Sequence, residues 1–145
     1  MKQQFRCSCP ITSALDIVGD KWILVIVKLM LIEGKSTFTD FIASDEGIAS
    51  NILSAKLRWL EDVGMIHKWQ SAENKKTHHY LLSESGLALT ALIVELAAWS
   101  DLYLRDLHPA LANGEEMARI RHNKVAFANY LQQRYREKRI HLTDN

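Results

Sequence analysis

Glycines at positions 19, 34, 47 and 64 stand at the ends of successive apolar-patterned segments. They cut the first 64 residues into pieces that fit brief helices joined by tight turns. Pro10 opens the first piece, in which Ile11, Leu15, Ile17 and Val18 are apolar, and Gly19 closes it. Asp20 is placed to cap a second helix over 21–33, apolar nearly all round and therefore a core element. Thr37 and Asp40, three residues apart, form a capping-box pattern ahead of Phe41 and Ile42 and predict a short third helix. Asp45, Glu46 and Gly47 then mark a turn.

The stretch 49–63 bears on function as well as fold. At about 100° per residue, Ala49, Leu57 and Leu60 fall within roughly 40° of Leu53 and form a buried stripe. The opposite arc holds Asn51, Ser54, Ala55 and Arg58, with no acid among them. Such a face suits base reading, and it equally suits a solvated helix surface. Beyond Gly64, two β-prone runs at 65–70 and 77–83 flank a polar connection, predicting a hairpin with Lys75 and Lys76 at its tip. A soluble loop tip is the plainer reading of those lysines. Ser83 can cap a long helix over 84–107, in which residues 87–99 contain only Thr90 and Glu95 as polar side chains. A small domain has too little core to cover such a helix alone, so a second subunit is expected over Leu92, Leu96 and Trp99. Pro109, Asn113 and Gly114 break the pattern before a charged helical segment over 115–138.

Composition narrows the classes. The chain has 145 residues, 48% of them hydrophobic and 24% charged, enough for one globular domain and its core and unlike a disordered or disulfide-framework chain. The formal net charge of +1 lacks the basic total that usually marks a nucleic-acid partner. Position matters more. Residues 48–82 carry Lys56, Arg58, Lys68, Lys75 and Lys76 against Glu61, Asp62 and Glu73, whereas 83–112 is acidic and 113–145 basic again. The apolar run 22–32 is about half the ~20 residues a span requires and contains Lys28, so no membrane is expected. No secretory leader is read before Cys7 and Cys9, and a cytoplasmic location is expected. His78 and His79 are adjacent on a strand and point to opposite faces, without zinc-ligand spacing to other Cys or His. No phosphate loop, nucleophile elbow or paired-carboxylate motif is present, so neither enzyme activity nor a metal or cofactor is expected.

Three short helices, the third with a small polar outer face, followed by a hairpin with a basic tip, is the order of a winged helix-turn-helix. The expected fold is mainly α with a small β-hairpin and a long C-terminal dimerisation helix, over 1–108, with a helical extension at 109–145. Cys9-Pro10, Leu15-Asp16-Ile17-Val18-Gly19-Asp20-Lys21-Trp22 and Phe38-Thr39-Asp40-Phe41 add specific detail. So do Leu53-Ser54, Leu57, Leu60-Glu61 and Gly64 within 48–66, and Tyr80-Leu81-Leu82-Ser83 with Gly86. Together, over about residues 7–107, they closely resemble the HxlR-type bacterial transcriptional regulators.

The resemblance implies a homodimeric, sequence-specific regulator that binds a palindrome-like double-stranded DNA operator, with residues 49–63 as recognition helix. Ser50, Asn51, Ser54, Ala55 and Arg58 would meet bases or phosphates, Lys75, Lys76 and Thr77 would place the wing, and the first and the long helix would build the dimer. Three positions depart from the family pattern. Ala49 replaces a capping Ser, which gives Ser50 a capping role as the alternative to DNA contact; Ala55 replaces a Gln and offers only a methyl group; Thr77 replaces a basic wing residue. In some members the Cys-Pro cysteine resembles a redox or electrophile sensor, a role that falls here to Cys9, with Cys7 as an intersubunit partner; a buried structural cysteine is the alternative. Trp22, Trp59 and Trp99 read as core or interface anchors. Rival functions are a winged-helix protein-interaction module without DNA affinity and a thiol redox protein. A ligand-responsive MarR-like regulator is a third, against which the short first helix and the Cys-Pro start argue.

Overall fold

The helix starts marked by Asp20, Thr37 and Ser83 carry those caps in the computed structural model, which describes residues 4–109 and 114–144. Helix α1 (Pro10–Val18) has Pro at its first turn and Cys9 at its N-cap. In α2 (Lys21–Leu31) the Asp20 carboxylate accepts the Trp22 N–H at 2.9 Å. The capping box opens α3 (Phe38–Ile42): the Asp40 N–H donates to Thr37 Oγ1 at 3.1 Å, and the Thr37 N–H donates to the Asp40 carboxylate at 3.0 Å. Helix α4 (Ser50–Asp62) follows, then strands β1 (Ile66–Trp69) and β2 (His79–Leu82), paired antiparallel with Ile66 opposite Leu82 and Trp69 opposite His79. Short α5 (Glu84–Leu87), α6 (Thr90–Tyr103) and α7 (Glu115–Thr143) complete the chain.

The chain divides into two compact units, one running to Leu87 and one from Ala88 to Asp144. In the first, Ile23, Ile26, Val27, Leu29 and Met30 of α2 lie within a core that also contains Phe41, Leu53, Leu57, Leu60, Ile66, Leu81 and Leu82. Two polar ties fix the helices around it. The Trp59 indole N–H of α4 donates to the Ile17 carbonyl at 2.9 Å. Lys28, near the end of α2, pairs with Glu33 at 2.9 Å and with Glu46 in the turn before α4.

The long helix expected over 84–107 is interrupted. The turn at Ala88 and Leu89 separates α5 from α6 because α5 is held to the first unit. The backbone at Gly86 lies so close to β1 that a Cβ there would sit 2.2 Å from the Met65 carbonyl oxygen. The Ser83 hydroxyl donates to the Gly64 carbonyl at 2.7 Å and accepts the Gly86 N–H at 3.3 Å. The compact division thus falls about twenty residues before the boundary expected after residue 108, since α6 packs on α7 and groups with it.

Helix α7 is longer than the predicted 115–138 and bends at Asn123, where the Asn123 side chain caps the second arm by accepting the Ala126 N–H at 3.0 Å. Although mostly charged, α7 buries Ile120, Phe127, Ala128, Leu131 and Tyr135. By length and composition alone, Glu84–Tyr103, with mean hydropathy 1.4, is the stretch most like a membrane span. In the fold its acids are tied to α7: Glu95 pairs with Lys124 at 2.8 Å, and buried Asp101 binds the Arg121 Nε at 2.8 Å and the Arg105 guanidinium at 2.7 Å.

Hydrogen bonds and charge from Arg121 and Arg105 hold the Asp101 carboxyl well below the usual carboxylate range. A depressed folded value stabilises the protein above the unfolded value, about 3.9, and the contribution disappears as pH falls through the folded one. The urea midpoint should therefore drop more steeply between pH 6 and pH 3 in the wild type than in Asp101→Asn. The variant should be the less stable of the two at pH 7.

Candidate nucleic-acid interface

Burial of Leu53, Leu57 and Leu60 fixes the rotation of α4 about its own axis, which leaves Ser50, Asn51, Ser54, Ala55 and Arg58 exposed on the outer face. Ser50 is the first helical residue, and Ala49, in extended conformation, occupies the N-cap without a side-chain hydrogen bond. The capping role considered for Ser50 is therefore not the one it has. Its hydroxyl, like those of Asn51 and Ser54 nearby, faces solvent at the start of the helix.

The cations around this face divide into two groups. Lys56 reaches back to Asp20 at 2.8 Å, so the residue that caps α2 also holds the flank of α4, and that ammonium is engaged in the scaffold. The Asp20 carboxyl is held below its ordinary value, first by this Lys56 contact and then by the Trp22 N–H. Arg58, Lys75 and Lys76 carry no ion pair among the described residues. Sequence reading grouped all of them as one basic segment, because a charge count does not register pairing.

The wing is anchored at its base and ordered at its tip. The Tyr80 N–H donates to the Ser36 carbonyl at 2.7 Å, the Ser36 hydroxyl and His79 Nδ1 are 2.8 Å apart, and the Trp69 and His79 rings lie 5.9 Å apart. At the tip, Ser71 Oγ accepts the N–H groups of Glu73 and Asn74 at 3.1 and 3.2 Å. The Asn74 side chain accepts the Lys76 N–H and donates to the Thr77 hydroxyl, both at 3.2 Å. Lys75 and Lys76 project from this turn, exposed, and Thr77 is half-buried beside them. A cleft of about 290 Å³ opens between the wing and the start of α3, lined by Thr39, Lys68, Lys76, Thr77, His78 and Tyr80 among others. Thr39 and Lys68 were not singled out from sequence. Only the hairpin register, with Lys68 opposite Tyr80, brings them to the same cleft.

Away from this face, Cys9 is exposed at the N-cap of α1, and Cys7 is exposed and also a free thiol. The Thr12 N–H and hydroxyl, then the Ile11 N–H, lower the Cys9 thiol from its ordinary value. Arg6 clamps the preceding segment to α1, its Nε donating to Asp16 at 2.7 Å. The three residues expected at a subunit interface, Leu92, Leu96 and Trp99, are all exposed on α6, next to exposed Leu102 and Tyr103.

A buried-backed helix with an acid-free outer face, adjoining a hairpin with cationic tip, defines a winged helix-turn-helix protein of the transcriptional-regulator kind. The model of the HxlR-like helix-turn-helix matches residues 17–108, and the chain belongs to that family. It is 33% identical to the HTH-type transcriptional regulator YdeP of Bacillus subtilis over 66% of this chain and 73% of that one. It is also 36% identical to a mycobacterial HTH-type regulator from Mycobacterium bovis over 63% of this chain, spanning little more than half (56%) of the relative. Among solved structures, the reduced redox regulator HypR superposes with TM-score 0.58 at 26% identity, covering 70% of this chain and 99% of that one. The reduced transcriptional regulator YodB of B. subtilis gives 0.56 at 28% identity, covering 67% and 95%. Helix α7 lies beyond the matched residues.

Because α4 starts without a side-chain cap, Ala49→Ser should supply one. The expected outcome is a gain of about 0.5–1 kcal/mol in denaturant-derived stability, against no change for Ala49→Val.

Proposed function

We propose that the protein is a cytoplasmic, homodimeric transcriptional regulator that reads a palindrome-like DNA operator through α4 and steadies itself with the wing. The observation that carries this reading is the outer face of α4, where Asn51, Ser54, Ala55 and Arg58 are exposed without an acid among them, on the domain that bears Lys75 and Lys76. Asn pairs bidentately with adenine, Arg with guanine, Ser with either, and the Ala55 methyl packs against thymine. Ser50 at the helix start is suited to a phosphate or base edge. Lys75, Lys76 and Thr77 meet the adjacent backbone.

Dimerisation is supported by the apolar residues that α6 leaves exposed, Leu92, Leu96 and Trp99 with Leu102 and Tyr103. Two reading helices about one DNA turn apart would engage both half-sites. Near-neutral net charge, +1 over the chain, makes a single protomer a weak non-specific binder and gives pairing a large share of the affinity. On an operator selected from random duplex, Arg58→Ala should cost about 1–3 kcal/mol in specific binding and much less on unrelated DNA. Equal losses on both would make Arg58 a phosphate contact, and binding indifferent to salt would favour a protein-interaction module instead.

A thiol input at Cys9 is supported by a separate observation: an exposed cysteine at a helix N-cap, its thiolate favoured by the Thr12 and Ile11 N–H groups. Its relative HypR is described as a redox regulator. Diamide should change operator gel shifts and yield a dimer cross-linked through Cys9 on non-reducing gels, with both effects absent in Cys9→Ser. Unchanged binding together with the absence of any cross-linked dimer would exclude the sensor role.

A further inference from the structure

The cleft between the wing and α3 has a composition that the α4 face does not explain. Its lining includes two ammonium groups, Lys68 and Lys76, three hydroxyl-bearing threonines, Thr37, Thr39 and Thr77, and no carboxylate. Asp40, the nearest acid in the α3 sequence, is turned to its own backbone, where it accepts the N–H groups of Ser36 and Thr37, both at 3.0 Å. Thr77 accepts the Asn74 amide at 3.2 Å, which leaves its own O–H to donate. Lys68 lies over the Tyr80 ring, 5.9 Å from its centroid, and its one acid neighbour, Glu61, is at 3.8 Å, too long for a hydrogen bond. Both lysines are exposed, and about 290 Å³ of space lies between these groups.

We infer that this cleft is a seat for one DNA backbone phosphate, gripped by Lys68 and Lys76 and hydrogen-bonded by Thr39 and Thr77. The inference rests on the DNA-binding reading and deepens it. It makes Lys68 a positioning residue and draws Lys76 and Thr77 from the wing tip into a shared clamp with α3. A tetrahedral anion carried on a strand fits a pocket open on one side and lined by point charges and hydroxyls, groups that hold phosphate without reading bases. Since the hairpin base is bonded to Ser36, next to Thr37, a phosphate held here fixes the strand relative to both the wing and the start of α3.

Phosphate contacts are independent of sequence, so the test needs no operator. Fluorescence anisotropy with a 30-base-pair random duplex, titrated with salt, gives the slope of log K against log salt concentration. Lys68→Gln and Lys76→Gln should each make that slope shallower by about 0.9 per bound protomer. Thr39→Val should weaken binding several-fold and leave the slope unchanged, because it removes a neutral contact. Slopes in both lysine variants equal to the wild-type slope would overturn the seat while leaving DNA binding by α4 intact. Absence of salt-dependent binding by the wild type would overturn the DNA reading itself. Calorimetric binding of inorganic phosphate that Lys68→Gln abolishes, with duplex slopes unaffected, would assign the cleft to a free anion and overturn the proposal.

Discussion

The withdrawal of one side of α4 from water is the constraint on which the rest depends. Leu53 and Leu60 are wholly buried and Leu57 nearly so, and together they fix the rotation of the helix. At roughly 1.5–3 kcal/mol for each fully buried leucine, rotating α4 to present another face would forfeit much of a small domain's stability. The outer face therefore needs no further device to keep Asn51, Ser54 and Arg58 in solvent. The remaining contacts set where the helix lies: Trp59 joins it to α1, Lys56 joins it to the cap of α2, and Lys28 with Glu46 closes the turn before it.

A second theme is the placement of acids. A surface meant for phosphates is weakened by unpaired carboxylates, and the acids closest in sequence to α3 and α4 have structural partners. Asp20 accepts from Trp22 and pairs with Lys56, Asp40 accepts from two backbone N–H groups, and Glu46 binds Lys28. Each serves the scaffold, so the domain bearing Arg58, Lys75 and Lys76 is more cationic at its outer face than its formal charge count indicates.

Much of this was legible from sequence where the cause is local. Asp20 and the Thr37–Asp40 pair announce helix starts because a cap acts within three residues, and the leucine spacing of α4 reveals its buried side because a helix has a fixed period. What sequence missed has causes distant along the chain. The break after α5 follows from the close approach of Gly86 to Met65, which lie twenty-one positions apart. The role of α7 was hidden because its apolar residues are few, sit among charges and are split by the bend at Asn123, so no single period displays them. The reach of Lys68 towards Thr39 depends on strand register, and the engagement of Lys56 by Asp20 depends on how two helices meet.

The hydrogen bonds that Ser71 and Asn74 make inside the wing tip change what a loop of this kind contributes to recognition. A lysine-bearing loop free to sample many shapes would lose that freedom on meeting the duplex, and part of its electrostatic attraction would be cancelled by the ordering. Here the shape is settled during folding. The two lysines meet the backbone as a preformed element, so the wing's contribution to affinity is closer to the full strength of its contacts, and its register along the groove is inherited from the fold rather than chosen at each encounter.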